Sequence, residues 1–175
     1  MSVQKRTVLI TGAAVRVGSA IAKSLSRAGW DVVIHYHTSA DAAHALQKEI
    51  HNQGRVAHLE RADLSDDVAV SSLIPSLTKK NIHLDALINN ASVFTRNTLA
   101  QLTPQNWHAH MQVNCFAPLQ LIRDFAAAYK GESGAVVNIT DGLDGWSISP
   151  SFLSYSLSKR ALLSSSSVLA PARCG

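Results

Sequence analysis

The chain alternates short apolar runs with longer stretches of helical periodicity. The first run, Val8 to Ile10, is followed by a turn at Thr11-Gly12, two alanines and then Gly18, and from Ser19 onward Ile21, Ala22 and Leu25 recur at helical spacing. That order predicts a buried strand, a tight glycine turn and the start of a helix. Ala28-Gly29 closes the helix, and Trp30 opens a second strand through VVIHYH. Ser39 and Asp41 are candidate caps for a helix over about 40–52, which Gly54 ends. Val56 to Leu59 reads as a third strand, and Ser65 as the cap of a helix reaching about Lys80. Leu84 to Ile88 is a fourth strand and runs into NNAS. Thr103-Pro104 reads as an N-cap with proline at the first helical position, opening a long helical stretch to Ala128 that Pro118 should bend or restart. Gly131 to Gly134 is a turn and Ala135 to Ile139 a fifth strand; the loop DGLDGWSISPSF then leads to a last helix from about Ser154.

Strands alternating with helices predict an α/β fold: a doubly wound parallel sheet in three α/β/α layers. The 175 residues suit one domain, and neither a repeat nor a linker divides them, so 1–175 reads as a single domain. In such sheets ligands bind beyond the carboxyl ends of the strands. This singles out Thr11 to Gly18, His35 to Ser39, Asp63-Leu64, Asn89 to Phe94 and Thr140-Asp141.

Composition narrows the classes further. A hydrophobic fraction of 46% argues against wholesale disorder. No apolar run is long enough to span a bilayer, so no membrane partner is expected. The basic start MSVQKRTVLITG runs directly into the glycine turn and reads as a strand rather than a secretory signal, which makes a cytoplasmic location the default. The net charge of +4 comes from scattered basic residues, so no nucleic-acid surface is expected. Cys115 and Cys174 lack metal or redox spacing, and the pairs His35/His37 and His108/His110 have no cysteine or carboxylate at ligand spacing beside them, so no metal site is expected.

The glycine turn is the first candidate for chemistry. Free N–H groups at a helix N-terminus, with the helix dipole behind them, favour an anion such as phosphate. Taken alone, TGAAVRVG fits an ordinary β-turn-α link as well as a dinucleotide site, because Arg16 stands where a middle glycine is usual. Nicotinamide folds often place a carboxylate after the second strand to hold the ribose 2′-hydroxyl. Here none of His35, Tyr36, His37, Thr38 and Ser39 is acidic, which permits a 2′-phosphate, and Arg16 could pair with it or simply be solvated. The expected cofactor is therefore NADP(H). Tyr155 and Lys159 lie at i and i+4, on one face of a helix. A nearby ammonium would favour the phenolate, lower the tyrosine pKa towards neutral and make Tyr155 a usable proton donor; alone, the pair also fits a surface contact.

TGAAVRVG, ADL, NNAS, the Asn of VNCFAP and YSLSK follow one another at the right elements. Together they resemble the short-chain dehydrogenase/reductase family, which implies a Rossmann-like fold. The resemblance also implies that Thr11, Gly12, Val17 and Gly18 shape the phosphate turn. Arg16, His37, Thr38 and Ser39 would line the cofactor site, with Asp63 and Leu64 near the adenine. Asn89, Ala91 and Ser92 would hold the cofactor against the sheet. In the same way Asn114 would support a water chain to the lysine, Tyr155 would give the proton, and Lys159 would tune it and hold the nicotinamide ribose. Arg16, Ser92 and Asp141 depart from the general family pattern, which has Gly, Gly and Ser there. All three departures resemble the pteridine reductases. By that resemblance Arg16 reaches phosphate and substrate, Phe94 stacks on a pterin opposite the nicotinamide, and Asp141 works with Tyr155 in proton delivery. Core packing for Phe94 and a turn role for Asp141 are the plain alternatives. Thr38 stands where pteridine reductases often have Arg, which would weaken the grip on the 2′-phosphate.

The resemblance covers roughly Thr7 to Leu163. Beyond it lie the run Ser164 to Ser167 and VLAPARCG, where weak helix formers and Pro171 should end the last helix. The expectation is a C-terminally incomplete fold that lacks strands covering one sheet edge. The expected function is NADPH-dependent reduction of a pterin or dihydrofolate; a carbonyl reductase, or an inactive nucleotide-binding or subunit-pairing chain, is the alternative. Homo-tetramers are common in the family, so a homo-oligomer is a possible partner state.

Overall fold

Successive residues of the first strand, β1 (Arg6–Ile10), bury in opposite directions, and this alternation builds the layers. A computed structural model of the chain describes residues 6–131, 133–141 and 150–169, the side chains of residues 167–169 aside. Val8 and Ile10 join Val32 and Ile34 of β2 (Trp30–Tyr36) on one face of the sheet. That face is covered by α1 (Arg16–Arg27) and α2 (Ala40–Asn52) through Ala22, Ala43, Leu46 and Ile50. Leu9 and Val33 face the other way and meet α3 (Asp67–Lys79) through Val70, Leu73 and Leu77.

The sheet is parallel throughout, in the order β3-β2-β1-β4-β5, with β3 at Ala57–Arg61, β4 at Ala86–Asn89 and β5 at Ala135–Asn138. The order reverses direction between β1 and β4, where a doubly wound sheet opens its crevice. The predicted three-layer α/β/α sheet is the one observed. Among the described residues β5 forms an edge, and Val136 and Val137 there are 39% and 45% exposed.

Local differences from the sequence reading have physical causes. Helix α1 begins at Arg16, before the apolar periodicity that sets in at Ser19, and Arg16 itself has the left-handed φ of 53°. Asp66, not Ser65, caps α3 by accepting from the Val68 N–H at 2.9 Å, while Ser65 turns back to Asp63. Thr103 caps α4 (Pro104–Met111) as expected, in a reciprocal box with Asn106. The expected break at Pro118 appears as a wide π-turn over Gln112–Phe116, after which α5 (Ala117–Ala128) restarts. Proline has no N–H for the carbonyl four residues earlier, at Asn114, and the Ala117 N–H reaches back five residues to Gln112. The last helix, α6 (Leu153–Leu169), runs through the serine run, where Ser165 and Ser166 hydroxyls donate to the Leu162 carbonyl. Pro171 and most of the DGLDGWSISP loop lie outside the described residues.

Close backbone approach fixes one position. A Cβ on Gly18 would overlap the Gly12 carbonyl and lie 2.6 Å from Asn90 Nδ2 and 2.9 Å from Ala13 Cα. We expect Gly18→Ala to cost about 1–3 kcal/mol, the range for forced overpacking, as read from the midpoint of urea unfolding.

Candidate functional site

The tips of β1 and β4 are tied together by polar contacts at the crevice. Thr11 is buried, and its hydroxyl donates weakly to the Ile88 carbonyl while accepting from the N–H groups of Asn90 and Ala91. The Asn90 amide in turn donates to the carbonyls of Thr11 and Gly12, at 2.8 and 3.2 Å. Gly12 has φ +62°, a conformation glycine adopts freely, and the turn then enters α1. The first turn of α1 has no side-chain cap and no acidic residue, and Arg16 stands in it. Its exposed amide ends and guanidinium therefore present positive charge without a competing carboxylate.

Beyond these tips lies a cavity of about 790 Å³. Gly12, Arg16, Val17 and Gly18 line it from the glycine turn, and His37, Asp63 and Leu64 from the ends of β2 and β3. Ala91, Ser92 and Phe94 line it after β4, and Asp141, Tyr155 and Lys159 close the far side. The structure thus gathers most of the sequence-selected residues around one space. Thr11, Thr38, Ser39, Asn89 and Asn114 do not line it. Ser39 sits at the start of α2, and Thr38 is exposed beside it. Asn89 bridges to Asn138 at 2.8 Å and ties β4 to β5. Asn114 is fully buried, accepting from the Val93 N–H at 2.7 Å and donating to the Val93 carbonyl and the Ser158 hydroxyl. Thr11, Asn89 and Asn114 thus brace the walls rather than face the cavity, whereas the Ser39 side chain makes no cap bond to α2.

On the far side, Tyr155 and Asp141 line the cavity together. Burial first, and then the neighbouring Asp141 carboxylate, push the Tyr155 pKa up to about 12. The downward shift expected from Lys159 is therefore corrected. The Lys159 ammonium donates instead to the Ile139 carbonyl at 2.8 Å, and its own pKa is lowered by burial, against the pull of Asp141. Tyr155 consequently holds its proton firmly at neutral pH.

Phe94 is 53% exposed, so core packing does not describe it. Its ring stacks on Phe152, with centroids 4.5 Å apart, and meets Tyr155 edge to face at 4.6 Å. Phe152 is delivered by a short ladder in which the Asn97 N–H donates to the Ser151 carbonyl and the Leu153 N–H to the Asn97 carbonyl. The buried Asn97 side chain also accepts from the Ser154 N–H at the start of α6. Sequence reasoning missed Phe152 and Asn97, whose partners lie about 55 residues away. It also left out Asn90, although NNAS contains it, and gave His35 no role of its own.

His35 is 2% exposed and lies between the β1 and β3 tips. Its Nδ1 faces the Gly12 N–H at 3.1 Å and its Nε2 faces the Ala62 carbonyl at 3.2 Å. Burial lowers its pKa to about 4; the Ala62 carbonyl and Asp63 pull it up and His37 pushes it down. Among the described residues no group of three or more His, Cys, Asp or Glu could hold a metal.

A family model described as short chain dehydrogenase matches residues 6–172. The chain belongs to that family. Its match runs beyond Leu163, where the sequence resemblance was expected to stop. An uncharacterised oxidoreductase of Methylorubrum extorquens is 31% identical over 94% of this short-chain dehydrogenase chain and 66% of its own. The alternative dihydrofolate reductase FolM of Brucella suis, solved with NADP, is 35% identical over 94% of this chain and 68% of its own, with a TM-score of 0.87. The angucycline C-6 ketoreductase LanV, solved with NADP, is 32% identical over 94% and 67%, with a TM-score of 0.84. The chain spans 64–66% of the length of the first curated relatives it matches.

Two measurements check the electrostatics of this short-chain dehydrogenase site. Asp141→Asn should bring the Tyr155 ionisation down from about 12, as followed by phenolate absorbance against pH; an unchanged titration would contradict the Asp141 contact. His35 unfolds to an ordinary pKa of 6.5 but has a folded value of about 4, so the unfolded state takes up the proton first as pH falls. Its contribution is present above pH 6.5 and is lost as pH falls to about 4, by about 3 kcal/mol in all. Urea unfolding at stepped pH should show this loss. His58, also lowered by burial, adds in the same direction, and a flatter slope in His35→Asn isolates the His35 share.

Proposed function

We propose that residues 1–175 form one NADP-binding domain of an NADPH-dependent oxidoreductase, and that its substrate is a pterin or dihydrofolate. The observation that carries the substrate reading is the half-exposed Phe94 ring at the cavity wall, with Arg16 on the turn and Asp141 beside Tyr155. A flat heteroaromatic ring is the natural partner of such an aromatic face. The likeness to an alternative dihydrofolate reductase solved with NADP supports both parts of the reading.

The cofactor fit rests on the chain's own groups. The uncapped end of α1, with Arg16 in its first turn, suits a pyrophosphate or a 2′-phosphate. His35 to Ser39 carry no carboxylate to repel that phosphate. NADPH, when bound, supplies the hydride for the carbon of a C=N bond. Tyr155 gives the proton to the nitrogen, and Asp141, which lines the same cavity, passes a replacement proton from solvent. Lys159, held by the Ile139 carbonyl, offsets the charge left on the phenol–carboxylate pair. Phe94 and Phe152 exclude water from one side of the ring. Among the described residues no helix is long and apolar enough to cross a membrane, and we extend the proposal to a cytoplasmic protein that associates with copies of itself.

A second reading, ketone reduction, is favoured by the Tyr155 and Lys159 pair and by the likeness to a ketoreductase. Loss of NADPH absorbance with dihydrobiopterin or dihydrofolate tests the first reading. We expect turnover that Tyr155→Phe lowers about a hundredfold or more without changing NADPH binding. Asp141→Ser should lower pterin reduction more than ketone reduction. Faster ketone than pterin turnover in the unaltered protein would favour the second reading, and NADPH binding without turnover of either would favour a nucleotide-binding chain without a reaction.

A further inference from the structure

His35 makes contacts that define its own protonation state. The Ala62 carbonyl can only accept, so Nε2 carries the proton. The Gly12 main-chain N–H can only donate, so Nδ1 is bare. The ring is thus neutral and in one tautomer. The His35 main-chain carbonyl accepts from the Ala13 N–H at 2.9 Å as well. One residue at the tip of β2 therefore occupies the first two amide donors after Thr11.

The consequence lies in what the turn leaves free. Asn90 takes the Thr11 and Gly12 carbonyls, which would otherwise repel an anion. His35 takes the Gly12 and Ala13 amides. The amides left for an anion run from Ala14 into the first turn of α1, beside Arg16. The bond from Gly12 also holds the +62° turn against Gly18, where backbone meets backbone. His37 and Asp63 are the titratable groups that bear on the His35 ring, and both line the cavity.

We propose that His35 is a positioning residue for the dinucleotide: its bare Nδ1 holds the glycine turn through the Gly12 N–H and so aims the α1 amide end at the cofactor phosphates. This rests on the NADP(H) reading above. The bond to Ala62 is, on this account, the means of keeping Nδ1 bare rather than a second grip on the turn.

Two replacements separate the bonds. His35→Asn keeps an acceptor near the Nδ1 position, and His35→Gln keeps an amide donor near the Nε2 position. NADPH binding followed by cofactor fluorescence should stay within about threefold of the unaltered protein for His35→Asn, and weaken about tenfold or more for His35→Gln and His35→Leu, as expected for an unmade hydrogen bond to a buried N–H. Nitrogen NMR of the unaltered protein without cofactor, near neutral pH, should show the Nε2–H tautomer, with a Gly12 amide resonance that moves in His35→Gln. Unaltered protein that fails to bind NADPH would sink the cofactor reading and this role with it. Binding by the unaltered protein that is undiminished in His35→Gln and His35→Leu would overturn the His35 role alone. An Nδ1–H tautomer would overturn it whatever the binding, and so requires no variant to fold.

Discussion

The structure depends on one polar knot at the point where the parallel sheet reverses its strand order. There the tips of β1 and β4 must stay close enough to remain one sheet and still open a crevice beyond it. Thr11 accepts the Asn90 and Ala91 amides with its hydroxyl, and the Asn90 side chain answers by holding the Thr11 and Gly12 carbonyls. Buried polar groups of this kind are costly when unpaired, so each partner holds the others in place. The glycine turn, the start of α1 and the cavity all follow from where that knot puts the backbone.

The rest of the site is arranged by similar struts. Asn97 connects the segment after β4 to the start of α6, which brings Phe94, Phe152 and Tyr155 into one aromatic wall. Asn114 joins the π-turn to Val93 and to Ser158 of α6. Buried asparagines thus hold the loops at fixed separations, while the residues facing the cavity are left with few fixed partners. Arg16 follows the same logic at a cost: an arginine at φ 53° is strained by about 1 kcal/mol, and its conformation places a cation where the amide end of α1 opens.

Charge in the site is set by burial more than by sequence neighbours. Tyr155 and Lys159 are one helical turn apart, yet the phenol responds to its burial and to Asp141, while the ammonium is turned to the Ile139 carbonyl. Tyr155 therefore keeps its proton at neutral pH. His35 shows the same dominance in the other direction, with a ring kept neutral between a donor and an acceptor of the main chain.

The sequence by itself determined the order of strands and helices, the three layers and the location of the crevice, because these depend on period-two and helical spacing and on turn residues that act within a few positions. Thr103-Pro104 and Pro118 are of this kind: a cap and a missing N–H act locally wherever the chain goes. Only the tertiary structure decided which polar residues face the cavity and which brace it. Asn89, Asn90 and Asn114 are alike in sequence, and their roles differ because their partners come from other strands and helices. The direction of the Tyr155 shift, the tautomer of His35 and the Phe94–Phe152 stack were likewise out of reach of sequence. Each is fixed by desolvation or by groups brought together across the fold, and spacing along a chain carries no information about either.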